Sequence, residues 1–151
     1  MDATVRRAES KDLPGILVLY RELRPHDPEL APDVAREAFR GLTARNDVHV
    51  VVCEVEQTLV ATCMLAIIPN LACDTRPFGI IEHVVTLSTH RGRGYGRRVL
   101  EHALDLAWSR RCHKVVLLSG TQRTDAHRLY ESVGFVGNVE SGFVAKPKCP
   151  A

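Results

Sequence analysis

Two apolar runs, His49–Val55 (HVVVCEV) and Thr58–Ile68 (TLVATCMLAII), are separated only by Glu56 and Gln57. Both are rich in β-branched residues, and so short a connection sends the second run back along the first. The pair predicts a hairpin of two largely buried strands. After the polar loop PNLACDTRPFG, broken by Pro69, Pro77 and Gly79, Ile80–Leu87 (IIEHVVTL) is a third strong strand signal. This three-strand antiparallel run is the frame that the rest of the chain must cover.

The remaining segments supply the cover. Ala3–Ala8 reads as a short first strand, and Ser10 offers a helix N-cap before Leu13, Ile16, Leu17 and Tyr20 at helical spacing. Pro25 and Pro28 bracket a loop, and Pro32 suits the first turn of a second helix through Val34, Phe39 and Leu42. Val99, Leu100, Ala103, Leu104, Ala107 and Trp108 predict a helix opening near Gly94. Lys114–Leu118 (KVVLL) is another apolar strand. Ala126, Leu129, Tyr130 and Val133 mark a short amphipathic helix with Thr124 as N-cap and Gly134 at its C′ position. From Phe135 onward the pattern predicts one or two terminal strands, joined near Gly137-Asn138 or Ser141-Gly142. The order predicts a mixed α/β domain, an antiparallel meander leading into one parallel crossover. A length of 151 residues fits a single domain spanning 1–151.

Composition narrows the function classes. With 45% hydrophobic and 25% charged residues the chain is an ordinary globular one, and a net charge of +2 does not by itself argue for nucleic acid. Electropositive function must be local, and His90, Arg91, Arg93, Arg97 and Arg98 lie within nine positions. The five cysteines are odd in number and show no C-x-x-C or Cys/His ligand spacing, so neither a disulfide framework nor a metal site is expected. No N-terminal run resembles a signal peptide, and no segment reaches ~18 apolar residues. The expectation is a cytoplasmic protein with no membrane partner.

The basic residues surround glycines in HRGRGYGRR, His90–Arg98, between a strand and a helix. The first N–H groups of a helix are unpaired and its dipole is positive there, so glycines that admit close approach build an anion site. The inference is a phosphate or pyrophosphate site. The dinucleotide fingerprint fails because position 97 is arginine, and no lysine-hydroxyl pair completes a Walker loop. An arginine/glycine RNA segment would be repetitive, and no aromatic cluster for base stacking accompanies these arginines, so a nucleic-acid partner is not expected.

Arg91-Gly92-Arg93-Gly94-Tyr95-Gly96 resembles the R/Q-x-x-G-x-G/A acyl-CoA loop of the GNAT superfamily of CoA-dependent N-acetyltransferases. DAHRLYESVGF resembles the family's A-x-x-x-Y-x-x-x-G-F helix at Ala126, Tyr130, Gly134 and Phe135, and VRRAESKDLPGI its opening strand and helix. The resemblance implies a splayed mixed sheet flanked by helices, with acetyl-CoA as co-substrate and no metal. It implies that the amides of Gly92 to Arg97 (Gly92, Arg93, Gly94, Tyr95, Gly96, Arg97) hold the pyrophosphate, with Arg91 opening the motif. Backbone groups of Val84, Val85 and Thr86, on a bulged strand, would pair with the pantetheine arm.

The implied chemistry is direct attack of a neutral amine on the acetyl thioester. Glu82, an acid inside an apolar strand, is the expected general base, with a half-exposed strand position or ion pairing to Arg76 as its structural alternatives. His83, its neighbour, falls on the opposite face by strand alternation. Tyr130 is the expected acid for the leaving thiolate, although it also lies on the apolar stripe of its helix. One departure from the family pattern is Arg123, where many members place an asparagine that holds the CoA arm. Arg24, His26 and Arg76 are candidates for binding an anionic acceptor. The resemblance implies a small-molecule or peptide amine as acceptor; the competing expectation is a regulatory module that holds acyl-CoA without turnover. Dimers are common in such families, and the terminal strands offer edges for a homodimer.

Overall fold

The computed structural model describes residues 2–149. β1 (Ala3–Arg7) leads through a 3-10 turn at Ser10–Asp12 to α1 (Leu13–Leu23) and α2 (Pro32–Thr43). There follow β2 (Val48–Val55), β3 (Thr58–Ile68), β4 (Phe78–Thr86), α3 (Tyr95–Ser109), β5 (Val115–Leu117) and α4 (Thr124–Ser132). The strands form one five-stranded sheet in sequence order, antiparallel from β1 to β4, with β5 parallel to β4. This is the mixed α/β arrangement expected from the element order, with α3 making the crossover.

The central hairpin turns through Glu56 and Gln57, both left-handed at φ 47° and 64°. A two-residue hairpin with the right twist demands that conformation, and neither residue favours it. The register, Val55 opposite Thr58, is set by the apolar strands on either side. Side chains alternate between two cores. Val51, Cys53, Cys63 and Leu65 meet Val99, Leu100 and Ala103 of α3. Val50, Val52 and Leu59 meet Ile16 and Leu19 of α1 and Phe39 of α2. Cover on both faces explains why these strands read as apolar throughout instead of alternating. Cys53, Cys63 and Cys112 are buried free thiols in these layers.

Helix starts shift by a residue or two from expectation. Glu9 and Asp12 form a reciprocal capping box, so Ser10 begins the 3-10 turn and caps nothing. Thr124 is the first residue of α4, and Arg123 holds the N-cap position. Trp108, expected on the buried stripe of α3, is half-exposed at its edge.

The larger correction concerns the C-terminus. No strand forms beyond α4 among the described residues, and Val136, Val139, Phe143 and Val144 are exposed. β5 is three residues long and offers too short a ladder for the segment to pair with. Strand propensity expresses the fit to a partner surface, and the described residues supply none here. The terminal edges expected to pair two chains are therefore not formed.

No helix among the described residues is long and apolar enough to cross a membrane. No group of three or more His, Cys, Asp or Glu among them is placed to hold a metal ion.

His49, on β2, is buried with its Nε2 lacking a hydrogen-bond partner. Burial, reinforced by Arg7 and Arg110, holds its pKa below the ordinary 6.5. The unfolded chain therefore binds a proton that the folded chain refuses, and stability present above pH 6.5 is lost as pH falls through the depressed folded value. Between pH 7 and 5.5 the melting temperature of the wild type should fall more steeply than that of His49→Phe. Parallel curves would remove His49 as the acid-sensitive group.

Candidate active site

The site lies where β4 and β5 part. Their parallel pairing runs Gly79–Val115, Ile80–Val116 and Ile81–Leu117 and then stops. On its other side β4 pairs Glu82 with Met64 but Val85 with Thr62, so His83 and Val84 together face Cys63. This is a β-bulge, and His83 takes the left-handed conformation at φ 54° that it needs. Past the bulge the Leu87 N–H donates to the Val60 carbonyl at 2.9 Å, which turns Val85 and Leu87 toward β3. By alternation Val84 and Thr86 present their backbone groups to the opened edge. The bulged, splayed strand is present as expected.

The loop after β4 makes a 3-10 turn at Ser88–His90, runs extended at Arg91, and passes through left-handed Gly92 and Gly94 at φ 73° and 80°. Gly94 is the N-cap of α3 and carries no capping side chain. The first α-type bond of the helix runs from the Arg98 N–H to the Gly94 carbonyl at 3.1 Å. The N–H groups of the preceding turn thus have no intrahelical acceptor, and the positive end of the dipole is bare. Gly96 is required by proximity: a Cβ there would lie 2.9 Å from Thr86 Oγ1 and 3.3 Å from Leu129 Cδ2.

Charge on the loop is more committed than the sequence suggests. Arg91 Nε donates to the Thr86 carbonyl at 3.2 Å, and its guanidinium lies 3.6 Å from Glu22 of α1. Arg97 pairs with Glu101 at 2.7 Å, and Arg98 donates to the Ala3 carbonyl at 2.8 Å. Arg93 is exposed. Of the loop arginines, Arg93 alone has no ion-pair or hydrogen-bond partner for its side chain among the described residues, beside the unpaired amides at the start of α3.

Two cavities meet here. A groove of about 900 Å³ runs from the loop and the start of α3 along Val84, Val85 and Thr86 to Tyr130. A smaller cavity of about 240 Å³ holds Arg24, Glu82, His83 and Leu118. Leu23, Val84, Arg123 and Tyr130 line both. Tyr130 resolves its double expectation: its ring packs edge-on against Phe135 with centroids 6.1 Å apart, while it also borders both spaces. Burial raises the pKa of its phenol, and Arg123 acts in the opposite direction.

Glu82 is exposed within the smaller cavity. Arg76 does not pair with it; its guanidinium donates instead to the carbonyls of Arg111 and Cys112, each at 3.3 Å. His83 shares the cavity with Glu82, contrary to simple alternation, because the bulge interrupts the two-residue period. Its ring lies 5.2 Å from that of Tyr20. Of the three acceptor candidates only Arg24 borders the cavity, with Nε held by Asp27 at 2.6 Å. His26 and Arg76 line neither space.

Sequence reasoning missed Glu22, whose carboxylate accepts from the Ser88 N–H at 2.8 Å and walls the groove. Nothing in α1 marks Glu22 as more than a residue on a polar helix face.

A mixed sheet splayed at β4, with a bare helix N-terminus at one end of the split and Tyr130 at its junction, is the arrangement that the family resemblance implied. The chain belongs to the Acetyltransferase (GNAT) family, whose model matches residues 16–135. It is similar to glucosamine 6-phosphate N-acetyltransferase 1 of Oryza sativa subsp. japonica, at 30% identity over 91% of this chain and 84% of that one. A solved structure from Agrobacterium tumefaciens str. C58, assigned as an acetyltransferase, superposes with a TM-score of 0.91 at 43% identity, covering 95% of this chain and 99% of that one. The N-acetyltransferase YhdJ of Bacillus subtilis (strain 168), itself uncharacterized, is 41% identical over 68 residues, 44% of this chain and 46% of the relative. That match spans less than half of the relative's length.

Proposed function

We propose that this protein transfers the acetyl group of acetyl-CoA to a primary amine of a small molecule or peptide, by direct attack while both are bound. The observation that carries the reading is the meeting of the two cavities at Val84 and Tyr130. One space, of about 900 Å³, runs from the glycine loop and the start of α3 to Tyr130 and suits CoA. The other holds Glu82 and supports an acceptor side with an acid residue.

In this reading the unpaired amides at the start of α3, with Gly92 to Arg97, hold the pyrophosphate, and Arg91 exchanges Glu22 for a phosphate oxygen. Val84 and Thr86 pair with the pantetheine arm as a missing strand would, while Val85 remains bonded to β3 and supplies the apolar wall. A backbone N–H at the bulge polarises the thioester carbonyl. Glu82 takes the proton of the incoming amine, directly or through water. Tyr130 gives its proton to the departing sulfur. Arg24 borders the acceptor side and is the one of the three candidates suited to meeting an acceptor anion. The rice relative's name, a glucosamine 6-phosphate N-acetyltransferase, makes phosphorylated amino sugars the first acceptors to test.

A module that only held acyl-CoA would need the groove and not the second cavity with its acid. Thiol release from acetyl-CoA should be followed against amino sugars and their phosphates, amino acids, polyamines, aminoglycosides and peptide N-termini, with products weighed by mass spectrometry. Binding of CoA without release across the panel would favour the module. Tyr130→Phe removes a single oxygen and should lower kcat on the order of 10²-fold, with the melting temperature held. Unchanged kcat would end the acid assignment.

A further inference from the structure

Arg123 occupies the position at which the family pattern has a neutral asparagine, and its surroundings give the charge a use. Arg123 is the N-cap of α4, and Tyr130 lies seven residues further on, in the second half of that helix. Arg123 borders both the CoA groove and the acceptor cavity, as Tyr130 does. Arg24 is held by Asp27, Arg91 by Glu22 and the Thr86 carbonyl, and Arg97 by Glu101, whereas Arg123 has no ion-pair partner among the described residues. Its stem runs past Gly120, where a Cβ would lie 3.6 Å from its Cγ and Cδ.

We propose that the Arg123 guanidinium stabilises the negative charge that gathers on the CoA sulfur and the Tyr130 oxygen as the thioester carbon–sulfur bond breaks. The inference rests on the acetyl-transfer reading above. The amine nitrogen forms the new bond to the acetyl carbon, and the electron pair of the carbon–sulfur bond goes to sulfur. Tyr130 passes its proton to that sulfur, and CoA leaves as the thiol. The amine's own proton goes to Glu82, and water returns a proton to the phenolate. A phenol whose ring is buried against Phe135 is a weak donor, because its anion loses hydration; a guanidinium lining the same two cavities offsets part of that loss. The same electrostatic relation opposes the effect of burial on Tyr130. A neutral asparagine would hold the CoA arm without this effect.

The experiment compares wild type, Arg123→Gln and Arg123→Lys on two acetyl donors, acetyl-CoA and S-acetyl thiophenol, whose acidic thiol leaves without assistance. Arg123 is exposed, so all three proteins should melt alike. Arg123→Gln should lower kcat with acetyl-CoA on the order of 30-fold, below the 10²–10³ lost with a fully enclosed donor. With the aryl thioester kcat/KM should fall less than about threefold. Arg123→Lys should keep most of the rate. The 13C-tyrosine signal assigned to Tyr130 should titrate at higher pH in Arg123→Gln. Equal losses on both donors would overturn the proposal. So would an unchanged kcat with a raised KM for acetyl-CoA, which means a phosphate contact, or a raised KM for the amine, which means an acceptor contact. If Tyr130→Phe is silent while the donor dependence of Arg123→Gln persists, the tyrosine assignment falls and the action of arginine on sulfur stands.

Discussion

Glu82→Gln should lower kcat/KM for the amine on the order of 10²–10³-fold at neutral pH, within the range of a lost general base. Glutamine keeps the size and hydrogen-bonding reach of the side chain and cannot accept the proton. Because Glu82 is exposed and unpaired in the smaller cavity, folding should be unaffected and KM for acetyl-CoA should stay near wild type. The defect should also narrow as pH rises toward the pKa of the substrate amine, since solution then supplies the neutral nucleophile that Glu82 would otherwise generate. A loss that stays constant with pH would make Glu82 a substrate-positioning group and not a base.

Gly96→Ala should raise KM for acetyl-CoA about tenfold and Gly96→Val on the order of 10²-fold, the cost of misplacing binding groups by about an ångström. Alanine within a helix is ordinarily favourable by ~1 kcal/mol over glycine, so a loss here runs against intrinsic propensity. Its source is contact: the new Cβ meets Thr86 Oγ1 at 2.9 Å, and the first turn of α3 must move off β4. That turn carries the amides assigned to the pyrophosphate. Thr86→Ala removes the obstructing oxygen and should recover most of the binding lost in Gly96→Ala. If the double variant binds no better than Gly96→Ala, the spacing between α3 and β4 is not what the glycine protects.

Much of this arrangement was legible because it depends on neighbours close in the chain. The two-residue gap at Glu56-Gln57 forces a hairpin whatever follows, and Gly92 and Gly94 sit where left-handed backbone is needed to enter α3. Tyr130 could be placed on the inner face of α4 from its spacing to Ala126, Leu129 and Val133. His83 could not be placed, because the bulge depends on how β3 and β4 meet across residues twenty apart, and a two-residue period carries no sign of its own interruption. Arg76 looked like a site residue by composition and is a clasp for carbonyls at the end of α3. The terminal strands failed in the opposite sense: Phe135–Val144 has strand-forming residues, but a strand requires an edge to join.

The layered frame, the glycine-rich entry to α3 and the tyrosine helix follow from residues near one another in the chain, since periodicity and turn chemistry act over a few residues. Which charges remain available depends on contacts between distant segments. Glu22 reaches Ser88 across 66 residues, Arg98 reaches Ala3 across 95, and Arg123 alone at the junction is left without a partner among the described residues. Ion pairs and cavity walls form between elements that meet only after the sheet has closed, so the same arginine letters become staples in one place and a candidate catalytic charge in another.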